Sequence, residues 1–455
     1  MPRARLRRRA RLRRRAALLA GLGVLLVAIA GGVIVVRGGP GNVSHPGVRF
    51  VPQAPPPLVP IRQRLFAWPT YGYTPDRTRV IGASTAPPFD VRWASHGSAL
   101  LEFPPVIWGD SLYVLDDSGL LRHLDAATGH TRWVRRVGRL AAASPAVGAG
   151  GVYAPLLIGP RGSGRVVALD RLSGRVQWSR ELSSRTESSP LLIDGVLYVG
   201  SEDGRIYALD AATGHVVWTY KAGAAVKGGL ALKDGVLYVG DYSGTMYALR
   251  RTDGALKWKV GTSGARFGLG SGTFYSTPAV AFGRVYAGNT DDRVYSFAAD
   301  SGKLAWASQT GDYVYASPAV EDVTGLGPTA YVGSYDGFFY AFDAQSGRVR
   351  WRYRAGGKIS GSPTIVGRVV YFSDLGTRTT IGLDVVDGHR VWSFPDGAFN
   401  PIVTDGNLLY LNGYSTLYGL EPTQPRAPSA AAAPGRPGGG SAGTRHRHRG
   451  RRGLR

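Results

Sequence analysis

The chain has no cysteine, only two methionines, and 31 acidic residues to set against 55 lysines and arginines. Without cysteine there can be no disulfide, no thiolate metal site and no lipidated N-terminal cysteine. Charged residues make up only 19% of the 455 positions, too few for a protein of long, solvated helices. The shortage of acid gives a formal charge of +24, which would suggest a nucleic-acid partner if it were spread over the chain. It is not. Ten arginines lie in residues 1–37 and eight in 422–455, with no acid in either stretch, which leaves about +6 for everything between. No nucleic-acid role is expected of the body.

Long hydrophobic runs are also scarce, and the one present is at the start. "AALLAGLGVLLVAIAGGVIVV", residues 16–36, follows a stub of nine arginines in residues 1–15. Twenty-one uncharged residues at 1.5 Å each span about 31 Å, enough for a bilayer core. The positive-inside rule keeps the stub cytoplasmic and sends the rest out, so a single-pass membrane anchor with an extracytoplasmic body is expected. The competing reading is a cleaved signal peptide ending at Ala28-Ile29-Ala30, which would leave a secreted protein. Residues 37–65 read as a Pro/Gly-rich stalk, and 422–455 as a disordered Arg/His-rich tail that can meet anionic lipid or cell-wall polymer by Coulomb attraction.

What is plentiful is glycine, 65 residues, and a repeat. Trp93, Trp133, Trp178, Trp218, Trp258, Trp306, Trp351 and Trp392 recur at intervals of 40 to 48 residues, and a proline lies twelve residues beyond five of them. "DGVLYVGSEDGRIYALDAATGHVVW" (194–218) is nearly copied at 234–258. "VLYVG", "RIYALD" and "HVVW" alternate as pleated strands should, while "EDG" and "DAATG" supply the turn residues between them. A period near forty with four strands per unit predicts a β-propeller. Seven units are complete. An eighth, "NPIVTDGNLLYLNGYSTLYGLEP", lacks its last strand, and "FDVRW" at 89–93 is a last strand without a unit. Pairing the two predicts an all-β ring of eight four-stranded blades with no free sheet edge at the seam.

"ALDAATGHVVW" (Ala208 to Trp218), "ALDRLSGRVQW" (Ala168 to Trp178) and "AFDAQSGRVRW" (Ala341 to Trp351) resemble the tryptophan-docking motif A-x-D-x-x-x-G-K-x-x-W of the pyrroloquinoline-quinone (PQQ) repeat propellers. Other units depart from it: His123 and Gly382 replace the alanine, Arg250 the aspartate, and the fifth unit has Ser296 and Ala298. "WPTYGYTPDRT", residues 68–78, resembles the segment that precedes the ring in that family, so the likeness covers about residues 66–421. It implies an eight-bladed ring in which the eight tryptophans dock blade on blade. The family holds quinoprotein dehydrogenases, with a calcium site of Glu, Asn and Asp, a catalytic aspartate and often a vicinal cysteine pair. It also holds the non-catalytic propeller subunit of the outer-membrane barrel-assembly machinery. The short loops and missing cysteines place this chain nearer the latter.

The tops of the innermost strands would line an axial funnel, where Glu187, Lys227, Tyr275, Tyr315, Lys358 and Asn400 fall near the repeat prolines. Glu187 and Asn400 are of types that ligate calcium, and the tyrosines can stack on a planar ligand. The plainer reading is that an axial channel simply carries solvated side chains. "EDVTGLG" (321–327) has too few later acids for a calcium loop and reads as an insertion. The expectation is therefore a non-catalytic interaction or envelope-assembly platform that needs no cofactor and binds envelope proteins. The alternatives are a PQQ- and calcium-dependent oxidoreductase and a ligand-sensing ectodomain.

Overall fold

A computed structural model describes residues 42–53, 66–158, 163–262 and 272–423. The chain divides into residues 1–422 and 423–455, and of the second unit only Thr423 is described. The expected anchor at 16–36, its basic stub and nearly all of the expected tail lie outside the described residues. Among the described residues, no helix is long and apolar enough to cross a membrane.

Eight antiparallel four-stranded blades form the body. Blade 3 shows the pattern: Leu191–Ile193 innermost, then Val196–Gly200, Arg205–Asp210 and Val216–Lys221 outermost. Side chains alternate across each sheet, and both faces are buried. Leu197, Val199, Tyr207 and Leu209 pack on blade 2, while Tyr198, Ile206 and Ala208 pack on blade 4. That two-sided burial explains why the middle strands read as continuous runs of Val, Leu, Ile and Tyr. Blade 8 is closed as expected: Thr416–Pro422 pairs with Phe89–His96, setting Trp93 opposite Gly419.

The tryptophans do dock. The indole N–H of Trp178 donates to the Ala211 carbonyl of the next blade at 2.9 Å, and Trp93, Trp133, Trp218, Trp258, Trp306 and Trp351 do likewise to Ala126, Arg171, Arg251, Ala299, Ala344 and Val385. The same turn carries the motif glycine. Gly214 has φ +72°, and a Cβ there would lie 2.6 Å from the Trp178 ring, so the residue is held to glycine twice over. Trp392 alone of the eight has no such bond among the described residues. Its partner would be the third turn of blade 8, and there the chain is interrupted between Pro422 and Phe89; Phe89 packs edge-on against the indole instead, centroids 5.5 Å apart.

Two segments fall outside the repeat. Residues 42–53, inside the region expected to be a stalk, lie along blade 5. Val43 and Ser44 pair with Ala307 and Trp306 as a fifth strand, Val48 is buried, and Phe50 stacks on Phe282 at 5.2 Å. The second is the lead-in, residues 66–85, which enters the hole of the ring. The innermost strand of any blade has an unpaired edge facing the axis, and its polar groups need partners. The lead-in provides them blade by blade. Ala67 and Trp68 pair with blade 1, the Pro69 carbonyl takes Val147 N–H of blade 2, and Thr70 donates to Pro190 O of blade 3. The carbonyls of Pro75, Asp76, Thr78 and Arg79 then receive Leu232, Val280, Val320 and Ile365 of blades 4 to 7. Thr85 reaches Gly406 O of blade 8. Tyr73, Arg77 and Arg79 adopt positive φ (72°, 60° and 60°) to make this path, a conformation the surrounding ring must hold in place.

Candidate functional site

The "SP" positions at the top of each inner strand form a belt before they form a pocket. Thr277 N–H donates to Ser317 Oγ, Ser317 N–H to Ser362 Oγ, and Ser362 N–H to Asn400 Oδ1, at 2.9, 2.8 and 3.1 Å. Asn400 Nδ2 then donates to the Glu102 carbonyl at 2.9 Å, which carries the belt across the seam to blade 1. Asn400, expected as a possible calcium ligand, is thus a blade-to-blade tie.

Above the belt lies the funnel, and its two sides differ. On blades 1, 3 and 4 it is charged: Lys227 Nζ sits 2.7 Å from Glu187 Oε1 and 3.0 Å from Glu202 Oε1. Burial opposes the lysine's charge, but the hydrogen bonds it donates to Glu187 and Glu202 outweigh it and hold its pKa above the ordinary value. Glu102 has no such cation among the described residues. Burial, with Asp117 and Glu187 nearby, pushes it up to about 7, and burial with Asp116 pushes Asp117 to about 6. On blades 4 to 6 the funnel is aromatic. Tyr242, Tyr275, Tyr315 and Tyr335 follow one another at centroid distances of 6.4, 5.6 and 4.9 Å, with Tyr313 edge-on to Tyr315 and half-exposed. Lys227 and Lys358 lie over the end rings, 5.2 and 4.9 Å from the centroids of Tyr242 and Tyr335. Burial first, then Glu187, drives the Tyr275 hydroxyl far above its usual range.

The floor is the lead-in. Tyr71 lies across the hole with its hydroxyl 2.7 Å from Ser362 Oγ and 2.9 Å from Asn400 Oδ1. Beneath its ring, 4.0 Å from the centroid, sits the Arg79 guanidinium. Arg77, fully buried, donates to Leu230 O at 2.8 Å, to Thr70 Oγ1 at 2.7 Å and to Tyr71 O. Burial, and then Arg79, lowers its pKa to about 9. The funnel that remains is a cavity of about 40 Å³.

A quinone with a bound cation does not fit these residues. Ligand pockets run to roughly 300 Å³ and more, and this cavity is far smaller. Glu187 is committed to an ammonium that would repel a metal, and both ends of Asn400 are in use. Elsewhere Asp384, Asp387 and His389 bring ligand atoms within 4.8 Å of one another on an outer turn of blade 7, where Asp384 is tied to Arg368 and Asp387 to His389.

Of the residues expected at the funnel, Glu187, Lys227, Tyr275, Tyr315 and Asn400 line its innermost cavity, and Lys358 lies off that cavity, over the Tyr335 ring that ends the aromatic side. The aligned position in blade 7 is Ser360. Glu102, Glu202, Tyr71, Tyr242 and Tyr335 were not anticipated. Glu102 precedes Pro105 by three residues, as Glu187 precedes Pro190, so alignment on the prolines alone would have found it.

The family described as outer membrane protein assembly factor BamB matches residues 156–227, 203–325 and 317–427. No curated protein matches the sequence. Among solved structures, BamB from Moraxella catarrhalis is 18% identical, covering 73% of this chain and 100% of that one, with a TM-score of 0.60. The quinohemoprotein alcohol dehydrogenase ADHIIG from Pseudomonas putida HK5 is 13% identical, covering 81% and 84%, with a TM-score of 0.66. A europium-containing methanol dehydrogenase is 14% identical, covering 79% and 91%, with a TM-score of 0.65. These likenesses are of fold, shared by assembly factor and dehydrogenases alike. By its matched repeats, the chain belongs to the family of the outer membrane protein assembly factor BamB, within the PQQ-repeat propellers.

Proposed function

We propose that this chain is a non-catalytic platform for envelope proteins, displayed outside the cytoplasm on its N-terminal hydrophobic segment, with the funnel face as the docking surface. The observation that carries the reading is the closed axis: residues 66–85 fill the hole, and the funnel groups bond to one another rather than surround a space for a cofactor. An assembly role comes from the family's description and from no residue of this chain. The rim offers what an interface uses, tyrosines with a lysine or an arginine over their faces (Lys358 over Tyr335, Arg378 over Tyr414), and half-exposed Tyr313 and Tyr414 stand on it.

The test is photo-crosslinking in cells from Tyr313 and Tyr414, with Val217 on the outside of blade 3 as the control site. One recurrent protein captured from the two rim sites and not from Val217 is expected. Equal capture from all three sites, or none from the rim, overturns the docking face. A quinone absorbance change on adding PQQ and Ca²⁺, with dye reduction by an alcohol, would replace the platform with an oxidoreductase.

A further inference from the structure

At the end of the axis opposite the funnel, the lead-in and the first hairpins of blades 4, 5 and 6 enclose a cleft of about 390 Å³, roughly ten times the funnel cavity. One wall is apolar, with Val80 and Ile81 from the lead-in facing Phe282 and Val320. The other features are charged. Asp76 and Lys233 neutralise one another at 3.0 Å. Glu321 and Asp322 have no such partner: among the described residues, neither carboxyl accepts a hydrogen bond or meets a cation within 4.0 Å, and Glu321 Oε2 is buried. A volume of this size suits a small organic ligand, and a carboxyl left unpaired beside hydrocarbon favours a positively charged donor.

We propose that this cleft is a binding site for a small organic cation, an ammonium or guanidinium group on an apolar stem, with the head at Glu321 and the stem along Val80, Ile81 and Phe282. The site does not depend on the funnel reading, since it lies at the other end of the axis and uses none of its residues. Burial, and then Asp322, raises the Glu321 carboxyl to about 7, as a carboxyl awaiting its counter-charge would be. The other groups facing it are Asp322 on its own strand, Tyr331 on the next, and Asp76, Lys233 and Tyr73 across the cleft. Burial pushes both tyrosine hydroxyls upward, so they stay protonated and uncharged.

The test is calorimetric titration of the full-length chain in detergent with phenethylamine, with its neutral counterpart phenethyl alcohol, and with the peptide acetyl-Phe-Lys-Phe-amide. The amine is expected to bind at least about tenfold tighter than the alcohol. Its affinity should rise about tenfold between about pH 6 and pH 8 as Glu321 loses its proton. Glu321→Gln should remove both the preference and the pH dependence, and Asp322→Asn should weaken binding by about threefold, which keeps the test open if the first variant folds poorly. A peptide that binds more tightly than the amine identifies the cation as a protein side chain, and the reverse identifies a free amine. Equal binding of amine and alcohol, no binding of either cation, or an unchanged pH profile in Glu321→Gln overturns the site.

Discussion

Around its rim the ring is joined by one device used many times, and along its axis by one device used once. At the rim, seven tryptophans each donate to a turn carbonyl of the following blade and lie against that turn's glycine. At the axis, residues 66–85 meet all eight blades through different atoms: a carbonyl here, a hydroxyl there, a guanidinium elsewhere. A repeated joint distributes its contribution, so losing one leaves the others. A single joint concentrates it. The comparison predicts that the most damaging substitutions lie at the axis, although the repeat dominates the sequence.

Arg77 gives the largest contrast. It is fully buried and satisfies the carbonyls of Leu230 and Tyr71 together with Thr70 Oγ1. Arg77→Ala leaves these acceptors in a dry site and opens a cavity, and should cost about 3–5 kcal/mol by chemical denaturation. A loss below about 1 kcal/mol would mean that the rim alone holds the ring.

The rim is best probed through its glycines. Gly214→Ala places a methyl against the Trp178 ring at a positive φ, for an expected cost of about 2–3 kcal/mol. Gly195→Ala has a similar φ, +74°, with nothing within 4 Å, and should cost only about 1 kcal/mol. The difference measures the blade-to-blade contact itself. Equal losses would reduce the motif glycine to a turn requirement.

The funnel adds a pH dependence opposite in sign to that of the rim, where turn hydrogen bonds hold Asp170 and Asp210 below the ordinary carboxylate value. Glu102 is raised from an ordinary value near 4.5 to about 7 by burial and then by Asp117 and Glu187. Between those values the folded chain holds a proton that the unfolded chain has released, so this group's contribution to stability falls as pH rises from about 4.5 to about 7. Glu102→Gln should flatten that slope and leave the protein about 1–2 kcal/mol more stable at pH 8 than the parent, read from denaturant midpoints. An unaltered slope would assign it to other raised carboxyls, among them Asp117 and Glu321, instead.

What the sequence disclosed follows the same division. Forty-residue periodicity makes the blades legible because each unit solves the same packing problem with the same residues, so the strands of 194–218 and the seam through "FDVRW" are read directly. The lead-in and residues 42–53 have no second copy to be compared with. Their partners are inner and outer strand edges that exist only once the ring has formed, and Pro69 or Val43 carries no local sign of the blade it will meet. The funnel lies between these cases. Glu187, Tyr275 and Tyr315 are found by counting back from a proline, whereas Tyr242 and Tyr335 come from the turn between the second and third strands of their blades and meet the funnel through Tyr275 and Tyr315. Tyr71 belongs to the unrepeated segment, and with it the fact that the funnel is blind.

The seam offers the finest test, because it is a rim joint with one part missing. Trp218 donates to Arg251 O at 3.0 Å, while Trp392 keeps its aromatic neighbours, Phe89 and Tyr371, without a turn carbonyl among the described residues to receive its N–H. Replacing each by phenylalanine removes ring area in both and a hydrogen bond in only one. Trp218→Phe should therefore cost about 1 kcal/mol more than Trp392→Phe in matched urea titrations. If the two cost the same, the indole hydrogen bond contributes nothing net and docking is a matter of ring area alone. If Trp392→Phe costs more, blade 8 depends on that ring because its last strand, Phe89–His96, reaches it from the far end of the chain. The seam would then be the weak point from which the propeller opens.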